Sequence, residues 1–257
     1  MSQAVISDSH LEFQCCICSE NVRTQLTKLS REMPSCPTCG STVRMRAMIA
    51  LLSRGLFGRI IPIRDFPLAP EIVGLGLSDW IGYAAPLAKR LGYTNTYFHK
   101  EPNLDITDVP DRLVGSCDFV ISTDVFEHVQ RPVSKAFEGA RRLLKPGGLF
   151  VFSVPFTLEG DTTVEHFPPL HDWSVRQAGG EWELIDQGFD GRVNRYGNLV
   201  FHGGDGATLE MRVFSLKSML AEFEAAGFRD VRVETDPILE AGVYWPQPWS
   251  VPVTARA

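Results

Sequence analysis

Asp118-Phe119-Val120-Ile121-Ser122, then Val133 to Leu144, then Lys145-Pro146-Gly147-Gly148 and Leu149-Phe150-Val151-Phe152-Ser153-Val154, form the stretch that decides the fold. Residues 119 to 121 are an unbroken apolar run between polar ends, the pattern of a strand buried on both faces. Val133 to Leu144 reads as an amphipathic helix, which Lys145-Pro146-Gly147-Gly148 breaks. Leu149 to Val154 is again an apolar strand. A strand that returns parallel through a helix is the unit of a doubly wound sheet with helices on both faces.

The same alternation extends upstream. Ile72-Val73 runs straight into Gly74-Leu75-Gly76, giving strand, glycine turn and helix in that order. The helix is expected to start near Ser78 or Asp79, either of which can cap it, to continue through Leu87 and Leu91 past a kinking Pro86, and to end at Gly92. Thr94 to His99 reads as the next strand. Downstream, residues 156–213 are rich in Gly, Pro, His and Trp, with a hairpin expected over Trp182 to His202 turning around Gly191 to Gly197. Regular structure returns with Ser215 capping a helix from Leu216 to Ala226, Gly227 closing it, and Val231 and Val233 alternating in a last strand. The Pro- and Trp-rich tail, 237–257, carries no pattern that places it.

The N-terminal part differs. Cys15-x-x-Cys18 and Cys36-x-x-Cys39 set two knuckles 17 residues apart, the spacing of a tetrahedral Zn²⁺ held by four sulfurs in a zinc ribbon. Pro37 and Gly40 supply turn chemistry at the second knuckle. A disulfide pair or a redox motif is the alternative for the same spacing, and Cys16 is a bystander that replaces Cys15 if the register slips. Val43 to Ser53 then reads as a helix with Met45, Met48, Ile49 and Leu52 on one face and Gly55 as its stop; Ile60 to Pro70 reads as a linker. The expected division is therefore 1–55 for the ribbon and connecting helix, 56–236 for the α/β domain with 156–213 inserted, and 237–257 for the tail.

The chain has 257 residues, 44% of them hydrophobic, enough for one full α/β domain plus a small module. No stretch reaches the roughly 18 apolar residues of a membrane span, and Met1 to His10 lacks the pattern of a signal peptide, so a reducing cytoplasm is the expected location. The net charge of −6 provides no broad basic face for a nucleic-acid backbone, although residues 1–59 hold seven basic against four acidic residues.

Gly74-x-Gly76-x-Ser78 between strand and helix is a nucleotide-type loop by spacing, a weak signal alone. In register behind it stand Leu104-Asp105-Ile106-Thr107-Asp108, Cys117 to Ser122, Asp124-Val125-Phe126-Glu127-His128-Val129 and Leu144-Lys145-Pro146-Gly147-Gly148. With these motifs the chain resembles the class I S-adenosylmethionine-dependent methyltransferases, of the type 11-like, small-molecule and glycan-modifying branch, well over residues 70–155 and loosely over 215–235. The resemblance implies a Rossmann-like α/β fold and S-adenosylmethionine as cofactor. Gly74 and Gly76 would face its methionine part beside Ser78, Asp105 and the backbone of Ile106 would border the adenine, and Asp124 would lie at the rim near the methyl group. Glu101, or His99 in its place, would grip the ribose hydroxyls. Turn capping by Asp105 and Asp108 and a strand-flanking Asp118 are the plain structural readings of those carboxylates.

Two features depart from the family pattern. The acid usually found two residues before the first glycine is Ile72 here, with Asp79 as its substitute or water in its place. Only four positions separate Glu101 from Asp105, too few for a crossover helix, so either that unit is truncated or Glu101 is not the ribose acid. Methyl transfer from a sulfonium demands orientation more than a nucleophile, and a base only when the acceptor must lose a proton. His128 is the first candidate and His166 the next, with His171 and His202 in the same acceptor-covering region. Glu165, His166, His171 and Asp172 have the residue types of a second metal site without convincing spacing. Trp173, Trp182 and Tyr196 either stack on a sugar or aromatic acceptor or pack internally. A small molecule or saccharide is the expected acceptor. An RNA methyltransferase holding phosphates with Arg44, Arg46, Arg54 and Arg59, and a non-catalytic binding domain, are the competing readings.

Overall fold

The computed structural model describes residues 5–7, 9–204 and 206–257. Strands β1 (Val5–Ser7), β2 (His10–Gln14) and β3 (Asn21–Gln25) form an antiparallel sheet ahead of helix α1 (Val43–Phe57). The Thr42 hydroxyl caps α1 by accepting from the Met45 N–H at 3.3 Å, and Gly58, at φ 69°, ends it. The stop expected at Gly55 lies inside the helix instead. A Cβ there would run into the Leu149 side chain, so Gly55 is a close-approach residue rather than a terminator.

The next elements are β4 (Ala69–Leu77), α2 (Ile81–Ala88), β5 (Leu91–Thr96), β6 (Cys117–Thr123), α3 (Ser134–Leu143) and β7 (Leu144–Ser153). Small strands follow: β8 (Phe156–Thr157), β9 (Val164–Glu165), β10 (Asp172–Ala178), β11 (Glu181–Gln187), β12 (Val193–Tyr196), β13 (Phe201–His202), β14 (Thr208–Leu209) and β15 (Arg212–Ser215). The chain closes with α4 (Leu216–Ala225), β16 (Arg229–Val233) and β17 (Val253–Arg256). The central sheet has the order β16-β17-β7-β6-β4-β5, with β4 to β7 parallel and β17 antiparallel to β7. This is the Rossmann-like, mostly parallel sheet expected, and the tail strand β17 lies inside it, between β7 and the edge strand β16.

Strand alternation sorts the core into two layers. Phe119, Ile121, Leu149 and Val151 pack with α1, α2 and the cysteine module, while Val120, Phe150 and Phe152 pack with Ala136, Phe137, Met219 and Phe223 of α3 and α4. The helix that follows the cysteines is thus one of the layer helices of the sheet.

Two local expectations are corrected, and of the two alternatives for the crossover after β5 the truncated one is found. Gly74 and Gly76 lie within β4, paired to β5 and β6, so the turn comes later, at Ser78 (φ 57°). Neither Ser78 nor Asp79 caps α2; Trp80 holds that position without a side-chain bond, and the helix ends at Ala88, leaving Leu91 and Gly92 in β5. No α-helix lies between β5 and β6, only a 3-10 turn at Asp111–Leu113, so that crossover is truncated. The 156–213 hairpin is real but tighter than expected: β11 pairs with β12 around Gly188 to Arg192. Ser215 caps α4 as expected, its hydroxyl accepting from the Ser218 N–H at 3.1 Å.

Candidate active site and cysteine cluster

The carboxyl ends of β4 and β6 lie side by side, with Leu77 and Ser122 in register. In an open α/β sheet this is the edge where ligands bind. Asp79, just past β4, is buried. Its Oδ2 accepts from the Tyr93 hydroxyl at 2.6 Å, its N–H donates to Asn95 Oδ1, and its carbonyl accepts from Asn95 Nδ2, both at 2.9 Å. Asp79 Oδ1, the Tyr83 hydroxyl and Ser122 Oγ are buried polar atoms with no hydrogen-bond partner. Burial pushes the Asp79 carboxyl up to about 7. A Cβ on Gly76 would meet the Tyr93 hydroxyl and the Asp79 carboxylate, and one on Gly74 would meet the Phe119 ring, so both glycines keep this corner assembled.

Asp124, past the end of β6, sits at φ 52°, a conformation that Asp tolerates. Two arginines from the N-terminal part reach it. Arg31 donates to both carboxylate oxygens, at 2.9 and 2.5 Å, and Arg44 Nε stands 3.2 Å away. Arg44 also donates to Thr123 Oγ1 and, bidentately, to Glu32, at 2.7 Å on each oxygen. Ser153 Oγ completes the shell at 3.1 Å. Burial alone would raise the Asp124 carboxyl, but Arg31 and Arg44 outweigh it and hold it below the ordinary carboxylate range. The sequence marked Asp124 but gave no sign that an arginine clasp covers it, because the partners lie about 80 to 90 positions away.

The four paired cysteines converge. Cys15 Sγ is 3.8 Å from Cys39 Sγ and Cys18 Sγ is 3.6 Å from Cys36 Sγ, with no disulfide formed. All four sulfurs lie within 4.8 Å of one another. Zn–S bonds of about 2.3 Å in a tetrahedron place sulfurs roughly 3.8 Å apart. Cys16 faces away, donating to the Arg46 carbonyl, and burial keeps its thiol well above the usual range. The neighbouring Cys39 thiol holds Cys15 down at about 4. Arg46, 0% exposed, donates to Ser41, Ser35, Ala241 and Gly242 and to no carboxylate. Among the described residues the ionisable groups that act on it are cysteine sulfurs, so negative charge on the cluster would match it.

Behind Asp124, the 3-10 turn Phe126–His128 meets β13 and the segment Leu209–Arg212. Glu127, 0% exposed, has both carboxylate oxygens without a hydrogen-bond partner, and burial pushes it up to about 7. His128 Nδ1 is 2.8 Å from the Leu209 carbonyl, which can only accept, so Nδ1 carries the proton. Glu210 takes His166 Nε2 and His202 Nε2, each at 2.8 Å. Arg212, also fully buried, donates to the Phe126 and Val129 carbonyls and to Glu165, fixing the turn. A cavity of about 360 Å³ lined by His166, Arg195, Tyr196 and Glu210 adjoins this network.

The profile of the methyltransferase domain matches residues 68–233, well over half of the chain. The chain belongs to the class I S-adenosylmethionine-dependent methyltransferases. It is similar in fold to an S-adenosylmethionine-dependent methyltransferase from Mesorhizobium loti, at 15% identity over 76% of this chain and 95% of that one, TM-score 0.43. It is also similar to an amino pentose methyltransferase from Micromonospora echinaspora involved in calicheamicin biosynthesis, at 15% identity over 84% and 92%, TM-score 0.45. A third is the 1,6-didemethyltoxoflavin-N1-methyltransferase of Burkholderia thailandensis, at 14% identity over 83% and 77%, TM-score 0.43. No curated protein sequence matches the chain.

Within this methyltransferase the residues marked by sequence do not all converge. Asp79 and Asp124 stand at the carboxyl edge of the sheet, with Ser78 in the turn beside them. Asp105 accepts from the Thr107 N–H and hydroxyl at 2.8 and 2.7 Å, the turn-capping arrangement, with Ile106 buried next to it. Glu101 is exposed and accepts from the Asn103 N–H. Asp118 flanks the start of β6, paired with Lys145 at 2.7 Å. The candidate metal set Glu165, His166, His171 and Asp172 is not assembled: Glu165 pairs with Arg212, His166 with Glu210, and His171 turns toward the Gln187 carbonyl. Trp173 donates to Gln130, Trp182 packs edge-on against Phe201, and Tyr196 packs against Phe167 while also lining the cavity beside His166; all three are half-buried. The sequence missed Tyr83, Tyr93, Arg31, Glu127 and Glu210. Glu127 stood inside a quoted motif, and the others carry no local signal.

Proposed function

We propose that this chain transfers a methyl group from S-adenosylmethionine to a small-molecule or saccharide acceptor by direct in-line displacement. The observation that carries the reading is the set of buried, partnerless polar atoms, Asp79 Oδ1, Tyr83 hydroxyl and Ser122 Oγ, gathered at the ligand-binding edge of a methyltransferase sheet. Bound there, the cofactor supplies a sulfonium methyl as electrophile. Asp79, taking the place of the acid absent at Ile72, holds the cofactor's ammonium group. Gly74, Gly76 and Ser78 shape the backbone beside it, and Asp105, with Ile106, borders the adenine. Glu101, on the exposed segment past β5, is left for the ribose. Asp124 marks the methyl end.

The acceptor side is the histidine network that follows Asp124. His128, whose Nε2 keeps its lone pair, and His166, which lines the adjoining cavity, are the residues placed to orient an acceptor or take its proton. The four cysteines hold a structural Zn²⁺, whose thiolates supply the negative charge that buried Arg46 lacks. A reducing cytoplasm keeps those thiols available.

RNA as acceptor is disfavoured by the arginines themselves. Arg44 is committed to Glu32 and Asp124, Arg46 is buried, and Arg54 donates to Glu234, leaving Arg59 of the four. The test is transfer of labelled methyl groups from S-adenosylmethionine into fractionated cell extract. Label in a low-molecular-mass or glycan fraction supports the reading, and label confined to RNA or protein overturns it.

A further inference from the structure

Besides the cysteine cluster, one group of side chains among the described residues has the geometry of a metal site: Glu127, His128 and His202, whose ligand atoms lie within 4.8 Å of one another. His128 Nε2 is 3.7 Å and His202 Nδ1 3.6 Å from the same Glu127 oxygen, Oε1. These separations are too long for hydrogen bonds. They match ligands around one ion, since metal–ligand bonds of about 2.1 Å in a tetrahedral arrangement place the ligand atoms roughly 3.4 Å apart.

The outer partners point the same way. A ligating histidine typically donates its other N–H to a carbonyl or carboxylate, which fixes the ring and raises its basicity. Here His128 gives Nδ1–H to the Leu209 carbonyl and His202 gives Nε2–H to Glu210, each at 2.8 Å, so the inward nitrogens are Nε2 and Nδ1. The two rings meet edge to face at 4.7 Å. Glu127 is fully buried with neither oxygen hydrogen-bonded, a costly state unless a cation satisfies it. The groups facing the site are Glu127, Glu210 and the three histidines. Arg212 is turned to the backbone and Glu165, and Asp124 is held by Arg31 and Arg44. Once His202 has given up the proton it carries between Glu127 and Glu210, two carboxylates beside neutral imidazoles match the charge of a divalent ion.

We propose that Glu127, His128 and His202 bind a divalent first-row transition-metal ion, with Glu210 as the outer partner of His202. Two histidines and one carboxylate leave coordination positions open, the arrangement of a reactive rather than a purely structural site. The ion displaces to solvent any proton carried between His202 and Glu127. His202, one-third exposed, marks the side from which the ion enters. An ion there takes the His128 Nε2 lone pair, so with the ion bound His128 orients an acceptor through the open coordination positions instead of taking its proton; metal binding itself is measured without cofactor or acceptor.

The test is metal content and Co²⁺ absorption of the full chain, purified without chelator and reloaded with Zn²⁺ or Co²⁺. The expected result is about two ions per chain, falling to about one in Glu127→Gln and in His202→Gln, while the strong thiolate-to-cobalt band of the cysteine cluster is unchanged. Retention of that band shows that the variants are folded. One ion per chain in the unaltered protein, all of it thiolate-bound, overturns the proposal, as does an undiminished second ion in both variants.

Discussion

Replacing Asp124 by Asn isolates the clasp between the N-terminal module and the sheet edge. Asn occupies φ 52° as readily as Asp, so the substitution changes charge without adding backbone strain. The three groups are largely buried, with side-chain exposures of 16% for Arg31, 13% for Arg44 and 18% for Asp124. Removing one member of a buried ion cluster typically costs about 3–5 kcal/mol, because the partner charges stay behind uncompensated. Glu32, half-exposed, still serves both arginines, which places the expected loss at the low end, about 3 kcal/mol. For a chain of this size that lowers the thermal midpoint by roughly 6–12 °C. Asp124 titrates lower in the folded than in the unfolded state, so its contribution is present above the unfolded value of about 3.9 and is lost as pH falls through the folded value. Urea unfolding of both proteins from neutral to acid pH should therefore show a constant gap at neutral pH that closes under acid. A gap below about 1 kcal/mol, the range of an exposed pair, or one that does not vary with pH, would refute the reasoning.

The raised Asp79 works in the opposite sense. Its unfolded form ionises near 3.9 and its folded form near 7, so the cofactor-free protein should lose stability as pH rises between these values; Asp79→Asn should flatten that part of the profile, and an unchanged profile would refute the assignment. Affinity for S-adenosylmethionine should rise as pH passes through about 7, where Asp79 becomes able to face an ammonium group, and calorimetry at two pH values on either side reads this. If the cysteines hold the proposed ion, Cys36→Ser should abolish its binding and destabilise the chain by several kcal/mol, since buried Arg46 loses its counter-charge; equal thermal midpoints with and without a strong chelator would count against a structural ion. Gly76→Ala should lower both stability and cofactor affinity, as the new methyl group meets Tyr93 and Asp79, and full retention of both would mean the corner is looser than it stands here.

The α/β sheet was legible because its strands and helices carry the two hydrophobic periods in alternation, and the 118–154 stretch holds both within one βαβ unit. What escaped were features set by distant partners. Gly74 and Gly76 read as a turn from their neighbours alone, yet pairing with β5 and β6 on either side draws them into a strand. The tail showed no period because β17 is only four residues long and is recruited by the free edge of β7. Cysteine spacing located its cluster from local sequence, whereas Glu127, His128 and His202 meet only because β13 folds back over the turn after β6. The arginine clasp likewise joins positions 31 and 44 to 124, a contact that no local motif encodes.

Calorimetric titration of the 257-residue chain with S-adenosylmethionine, in parallel with Asp79→Asn, tests the central claim most directly. One cofactor should bind per chain with a matching rise in thermal midpoint, and binding should weaken about tenfold or more in the variant, the loss of one charge-assisted contact. No heat and no thermal shift at saturating cofactor would contradict the assignment of the β4–β6 edge as a methyl-donor site.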